Sequence, residues 1–352
     1  MSYSRFLLVR ATTLLIVAVI AISVTLLIVG GFGVMDELAV DEIRREARRE
    51  IVLNPEFRGL SRDEIERRTE ALAQDRIVGA GLDKPFYQRA PRYLLQVLTW
   101  DFGRAQFLIS DSGSRQVKDI ILERLPRTAL LFTTGSILSI VVGLALGLLI
   151  GKNPGSFQDK VITGLALISY SMPLWWIGMI MILVFSSHLG VLPPGGFVSI
   201  PPPEDALLYA LDVFKHMLLP LLTILLVGFG GMAYVTRNII LGVFQQDYIY
   251  AARVRGISER TITYKHALRA ASPPIVTIAG FSLVFSIFGA IISETVFNWK
   301  GMGLLFWEAV NMQDVPVVLG LVYISIFLYV SLIFILDLTY MLLDPRVRSD
   351  LR

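Results

Sequence analysis

The sequence predicts an all-α integral membrane protein of six transmembrane helices, with a sizeable helical extracytoplasmic segment between the first two. Three observations carry this. The 352 residues are 54% hydrophobic and only 17% charged, with mean hydropathy +0.64, too apolar for a typical soluble protein. The apolar residues gather in runs long enough to cross a bilayer, which takes about 20 residues of helix. The charges between those runs are also asymmetric. Segments 1–10, 152–160, 237–272 and 344–352 carry 13 Lys/Arg against 5 Asp/Glu, whereas the short loops 188–215 and 298–316 carry 2 against 5. Basic short loops stay on the cytoplasmic side. A multi-pass protein of the cell membrane, surrounded by lipid and with both termini cytoplasmic, is therefore expected.

The composition also excludes other chemistry. Net charge is only +3, so nothing suggests a nucleic-acid partner. The absence of cysteine removes disulfides, thiolate catalysis and cysteine-based metal sites. His188, His216 and His266 are scattered without ligand spacing, so no metal site is expected. No nucleophile–base arrangement points to a membrane-embedded enzyme.

The first span runs from Phe6 to Val34, too long for the apolar part of a signal peptide, so residues 1–35 read as a retained anchor. Residues 36–126 form a hydrophilic extracytoplasmic block with 16 Lys/Arg and 17 Asp/Glu. Within it Ala39, Ile43, Ala47 and Ile51 make a narrow helical stripe, and Ser61 with Glu64 reads as a capping box. Residues 127–352 hold the other five spans. The second, about Thr128 to Gly151, carries Gly135, Ser139, Gly143, Gly147 and Gly151 at intervals of four, a ridge that lets helix backbones approach closely in lipid. Gly147 to Asn153 has the wrong spacing for a phosphate-binding loop. The third span, Val161 to about Ser187, is interrupted by Ser169-Tyr170-Ser171-Met172-Pro173-Leu174-Trp175-Trp176. Proline there fits a packed kink and a cavity lining equally well. Pro193-Pro194-Gly195-Gly196 marks a structured outer loop.

The fourth span, about Leu218 to Val243, carries Arg237; the fifth, Pro274 to Phe297, carries Glu294; the sixth, about Val317 to Leu343, carries Asp337. Arg237 and Asp337 each lie about six residues from the inner ends of their spans, so at 1.5 Å per residue they share a depth and are expected to pair within the membrane.

Between the fourth and fifth spans lies the most patterned loop, residues 244–272. Phe244, Tyr248, Ala251, Ala252 and Arg255 fall on one helical face. Gly256 stands where a helix ends in positive φ. Ser258 can cap a second short helix through about Arg269, and Ser272-Pro273-Pro274 reads as the start of the next span. From physics alone this is either an ordinary basic loop or a docking element with thin, alanine-bearing helices.

Ala251-Ala252, three residues and then Gly256 resemble the EAA loop of importer permeases of the ATP-binding cassette class. The longer series Asp247-Tyr248, Arg253, Gly256 and His266-Ala267-Leu268-Arg269 resembles the dipeptide/oligopeptide, binding-protein-dependent permease family. Leu125-Pro126-Arg127-Thr128, Trp100-Asp101-Phe102-Gly103, Trp299-Lys300-Gly301-Met302-Gly303 and Asp344-Pro345-Arg346-Val347-Arg348 add to the likeness, which covers roughly residues 81–352. Tyr250 replaces the glutamate of the general motif, and Lys300 a customary proline.

The resemblance implies a type I importer permease that supplies half of a translocation path for di- or oligopeptides. Its partners would be a second homologous permease subunit, two ATP-binding cassette ATPase subunits and an extracytoplasmic substrate-binding protein. ATP and magnesium would sit on the ATPases, with no cofactor on this chain and no catalytic residue in it. Asp247, Tyr248, Ala251, Ala252, Arg253, Gly256, His266 and Arg269 would form the ATPase-coupling loop. Ser171, Pro173, Trp175, Trp176 and Glu294 are candidates for the path. Relatives that carry oligosaccharides or nickel chelates keep the cargo open. An ion-coupled secondary transporter is the rival class, but it calls for ionisable groups at span centres, where this sequence has none.

Overall fold

The computed structural model describes residues 3–31, 33–57 and 59–343. The C-terminal Asp344-Pro345-Arg346-Val347-Arg348 motif lies outside them. The described residues form two compact units, one made of those up to Phe102 with Ile326–Val330, the other of Gly103–Ser325 with those from Ser331 to Leu343.

In the first unit α1 (Tyr3–Gly31) buries Leu14, Ala18, Ile22 and Leu26, one residue per turn. Gly33 (φ 75°) turns the chain into α2 (Val34–Leu53), which pairs with α3 (Arg62–Gly79). Ala47, Ile51 and Ala73 form their buried seam. Arg44–Glu70 (3.0 Å) and Arg76–Glu50 (2.5 Å) bridge the pair at the surface, where such contacts contribute at most about 1 kcal/mol each. Ser61 Oγ accepts the Glu64 amide at 3.3 Å, the predicted cap of α3. Arg89, on α4 (Phe86–Leu98), forks onto both oxygens of Asp36 (2.5 and 2.7 Å).

The second unit is built on α5 (Val117–Lys152) and, past α6 (Phe157–Ser171), α7 (Leu174–Met181) and a π-helical turn at Ile182–His188, α8 (Ala206–Phe244). The ridge of small residues on α5 does what its spacing predicts. Gly135 faces Ile224, Gly143 faces Met232, Gly147 faces Ala233 and Thr236, and Gly151 faces Ile240; Ser139 Oγ donates to the Ile224 carbonyl at 3.3 Å. This register increases along both helices, so α5 and α8 run parallel.

That fixes what happens between them. The chain must return from the level of Gly151 to the level of residue 206, and only α6 and α7 can carry it. α6 runs back along α8, with Asp159 at Arg237, Ala166 at Gly230 and Ser169 at Leu226. α7 and the turn after it continue the climb, where Leu174, Ile177, Met181 and Phe185 pack with Met217, Leu219 and Leu221 of α8. The pair is bent by 100° at Met172–Pro173, and the parallel course of α5 and α8 requires it to make the return crossing between them. Among the described residues five other helices are long and apolar enough to span a membrane, giving six with the bent pair.

Several boundaries differ from the sequence expectation. The second span starts at Val117, not Thr128, because Pro126 is carried inside the helix; the Leu122 carbonyl that it frees belongs to an exposed residue, where water can replace the lost amide. The fourth starts at Ala206 rather than near Leu218, capped by the Asp205 carboxylate on the amides of Leu207 (2.9 Å) and Leu208 (3.0 Å). Nor is there a second short helix ending near Arg269. From α10 (Glu259–Thr261) the chain passes through a π-helical stretch at Ile262–Ala267 into α11 (Leu268–Ser286) without a stop at Pro273-Pro274. Pro273 cannot donate to the Arg269 carbonyl, and Ser272 Oγ does so instead at 2.9 Å. The fifth span then ends at Ser286, before a turn at Gly289 (φ 68°), where Glu294 and Thr128 leave no room for a side chain. Three more helices follow along the chain: α12 (Ile291–Val296), α13 (Met302–Asn311) and α14 (Val315–Leu343).

Candidate functional site

α8 stops at Phe244, and Gln246 in extended conformation starts α9 (Asp247–Val254). The end of α9 is a Schellman motif. The Ile257 amide donates to the Ala252 carbonyl (3.2 Å) and the Gly256 amide to the Arg253 carbonyl (2.9 Å), with Gly256 at φ 74°. Ser258 caps α10 through the Thr261 amide at 3.4 Å. The predicted break at Gly256 is therefore a hydrogen-bonded bend. Arg253 braces it across the glycine, its Nε donating to Glu259 Oε1 at 2.7 Å while its guanidinium lies over the Phe244 ring at 5.5 Å.

The two faces of α9 have separate uses. Ile249 and Ala252 are buried with Ile262 and Ala267, and Val243, Phe244 and Ile257 close the cluster. This corrects the expected face. Phe244 and Arg255 lie outside α9, and Ala252, at 7% exposure, is packed inside the loop instead of facing out. Helical spacing puts Asp247, Tyr250, Ala251 and Val254 on the other side. All four are exposed, Tyr250 and Val254 to 71% and 70%. Tyr248 is half-exposed; His266 and Arg269 are exposed beyond the bend, on either side of the buried Ala267. Tyr250 and Val254 belong to this face although the motif does not mark them; the signal for them is helical spacing from Asp247.

Of the path candidates, Ser171, Pro173, Trp175 and Trp176 come together at the α6–α7 break, all exposed. Glu294 does not join them. It is 1% exposed and enclosed, accepting hydrogen bonds from Thr128 Oγ1 (3.1 Å) and the amides of Gly303 (2.8 Å) and Leu304 (3.1 Å). A carboxylate over the first turn of α13 is favourable because the free amides there point at it. Trp299, fully buried, donates Nε1 to the Arg127 carbonyl at 3.0 Å and completes the attachment of this turn to α5. Glu294 is thus a clasp between elements, not a lining residue.

The expected Arg237–Asp337 pair is replaced by another. Arg237 forks onto Asp159, with Nη2 2.7 Å from Oδ2 and Nε on Oδ1. Asp159 also accepts the Gly155 amide (2.8 Å) and Thr163 Oγ1 (3.1 Å), which fills its lone pairs. Asp314 is a second carboxylate that the sequence did not single out. It is fully buried and accepts the amides of Gln106 (3.1 Å), Phe107 (2.8 Å) and Leu108 (2.9 Å), holding the segment before α5 in place. In that segment Arg127 at 2.6 Å holds the Asp111 carboxyl below its usual range. Among the described residues no three His, Asp or Glu side chains converge as metal ligands would.

Comparison with known proteins agrees with this architecture. Residues 143–349 match the model of a family described as binding-protein-dependent transport system inner membrane component. The oligopeptide transport system permease protein AppB of Bacillus subtilis is 33% identical over 267 residues, 76% of this chain and 82% of its own. The dipeptide transport system permease protein DppB of Escherichia coli K12 is 32% identical over 300 residues, 80% of this chain and 86% of its own. Among solved structures, a chain of the MetNI methionine ABC transporter in an inward-facing conformation superposes with a TM-score of 0.50 at 17% identity, covering 64% of this chain and 96% of that one. That likeness concerns the fold.

Proposed function

Since the chain belongs to the family of binding-protein-dependent transport system inner membrane components, a transport component and not an enzyme, we propose that it moves di- or oligopeptides inward and that α9 is where ATP-driven motion enters it. The relatives named as oligopeptide and dipeptide permeases support the cargo. The observation that carries the second part is the double use of α9. One face is sealed into the protein's own cluster, while Tyr250, Ala251 and Val254 stand uncovered at the end of two spans. An apolar face exposed on an ion-paired, glycine-bent loop fits a groove on a second protein.

In this reading a second permease subunit completes the path, two ATPase subunits receive the α9 loops, and an external binding protein delivers the peptide. ATP and magnesium are held by the ATPases. The loop faces the cytoplasm together with both termini. Closure of the ATPases drags α9 inward, and the cluster of Ile249, Ala252, Ile262 and Ala267 passes the displacement to α8 and α11.

The test is uptake in vesicles reconstituted with the four kinds of subunit. Peptide uptake should stop on ATP depletion and be indifferent to an uncoupler. Uptake that survives ATP depletion and collapses with the uncoupler would overturn the reading in favour of an ion-coupled carrier.

A further inference from the structure

We infer that Asp159 and Arg237 are positioning residues whose ion pair locks α6 to α8, so that displacement of the inner loop reaches the Pro173 break as one rigid movement. The inference rests on the reading of α9 as the coupling element.

The geometry is that of a joint. Two guanidinium nitrogens meet the two oxygens of one carboxylate, an arrangement that resists rotation as well as separation. The Asp159 side chain is 4% exposed and held from three directions: by Arg237 on α8, by the Gly155 amide in the loop before α6, and by Thr163 one turn along α6. Its own amide donates to the capping Ser156 Oγ at 3.2 Å. The start of α6 is thereby fixed to the inner part of α8.

One such point would leave a pivot, and the structure has a second. Ser169 Oγ donates to the carbonyls of Leu226 and, at 3.2 Å, Val227, while the Gly230 backbone comes so close to Ala166 and Ser169 that a methyl group would not fit. Asp159 and Ser169 are ten residues apart, roughly 15 Å along the helix. Two fixed points at that separation set both tilt and slide. The positions also suit a transmission element. Arg237 lies six residues before Val243, the first member of the α9 cluster, and Ser169 lies just before the break that carries Trp175 and Trp176.

A buried ion pair is a poor choice if only stability is needed, because apolar residues of similar volume often serve as well or better. What the pair adds is a unique register between the helices. It was hidden in the sequence because its members are 78 positions apart and Asp159 reads as an ordinary first-turn acid.

The experiment uses the reconstituted importer with Arg237→Met, with Arg237→Lys, and with the neutral double variant Asp159→Asn/Arg237→Gln, which leaves no lone buried charge. Peptide uptake and ATP hydrolysis are measured in the same vesicles, per assembled complex. For Arg237→Met and the double variant we expect uptake to fall about tenfold while hydrolysis stays within about twofold, the scale of a lost coupling energy. Arg237→Lys, which keeps the charge and loses the fork, should recover part of the uptake. Uptake and hydrolysis falling in proportion, unchanged uptake, or failure of every variant to assemble would each overturn the inference. Wild-type vesicles without ATP-dependent uptake would instead remove the importer reading on which it rests.

Discussion

Ala252→Arg is expected to reduce uptake to background. Position 252 is buried among Ile249, Ile262 and Ala267, so the guanidinium would have to enter an apolar cluster without a partner or push the cluster open. Either costs on the order of several kcal/mol, more than a two-turn helix can supply. Ala251→Arg is the informative companion. Ala251 is exposed, so the loop should keep its fold while its outer face becomes too bulky and too charged to seat on a partner. Both variants should insert in the membrane, and both should lose transport. Limited proteolysis of the loop should separate them, with accelerated cleavage near Gly256 in Ala252→Arg alone. Wild-type uptake by Ala252→Arg would contradict the description of the loop.

Gly147→Leu is expected to abolish accumulation of the folded chain. A Cβ at Gly147 would lie 2.6 Å from the Ala233 carbonyl oxygen and 2.6 Å from Thr236 Cβ. The oxygen is backbone, so relief requires the whole of α5 to move away from α8, not merely a change of rotamer. The displaced contacts run along both helices from Gly135–Ile224 to Gly151–Ile240. Overpacking of this kind typically costs 1–3 kcal/mol in a core that can adjust, and a parallel helix pair with backbones in contact adjusts poorly. Gly164→Leu supplies the control, since a Cβ there meets no atom within 4 Å. Thermal denaturation in detergent, followed with the amount of membrane-inserted chain, should show loss for Gly147→Leu and near-normal behaviour for Gly164→Leu. Equal behaviour of the two would mean that α5 and α8 do not pack through this ridge.

The sequence made the local devices legible; the misses come from distant partners and from local side-chain and backbone details that spacing does not carry. The ridge of small residues on α5, the Ser61 cap and the Gly256 bend each follow from short-range geometry, and each is present. Pro173 predicts an interruption, but a proline says nothing about its angle, which is 100° here, with α6 and α7 packed on different parts of α8. Pro273-Pro274 predicts a helix start, and the helix runs through it because Ser272 Oγ rescues the Arg269 carbonyl, a side-chain detail that spacing does not encode. Glu294 looked like a lone acid near a membrane surface. Its true partners, Thr128 and the amides of Gly303 and Leu304, come from α5 and α13 and meet only in the fold. A stripe that runs from Phe244 puts Ala252 on the outer face, but α9 begins at Asp247 after a non-helical Gln246, and Ala252 is buried.

The central claim is that the outer face of α9 is covered by a partner when the transporter works. Because the chain has no cysteine, Val254→Cys gives a single thiol at the C-terminal end of that face. Its labelling by a membrane-impermeant thiol reagent can be timed in the isolated chain and in the complex assembled with cysteine-free ATPase subunits. The account predicts rapid labelling in the isolated chain, strong protection in the complex with and without ATP, and loss of uptake once the thiol has been modified before assembly. Equal labelling rates in the isolated chain and in the working complex would show that nothing seats on α9.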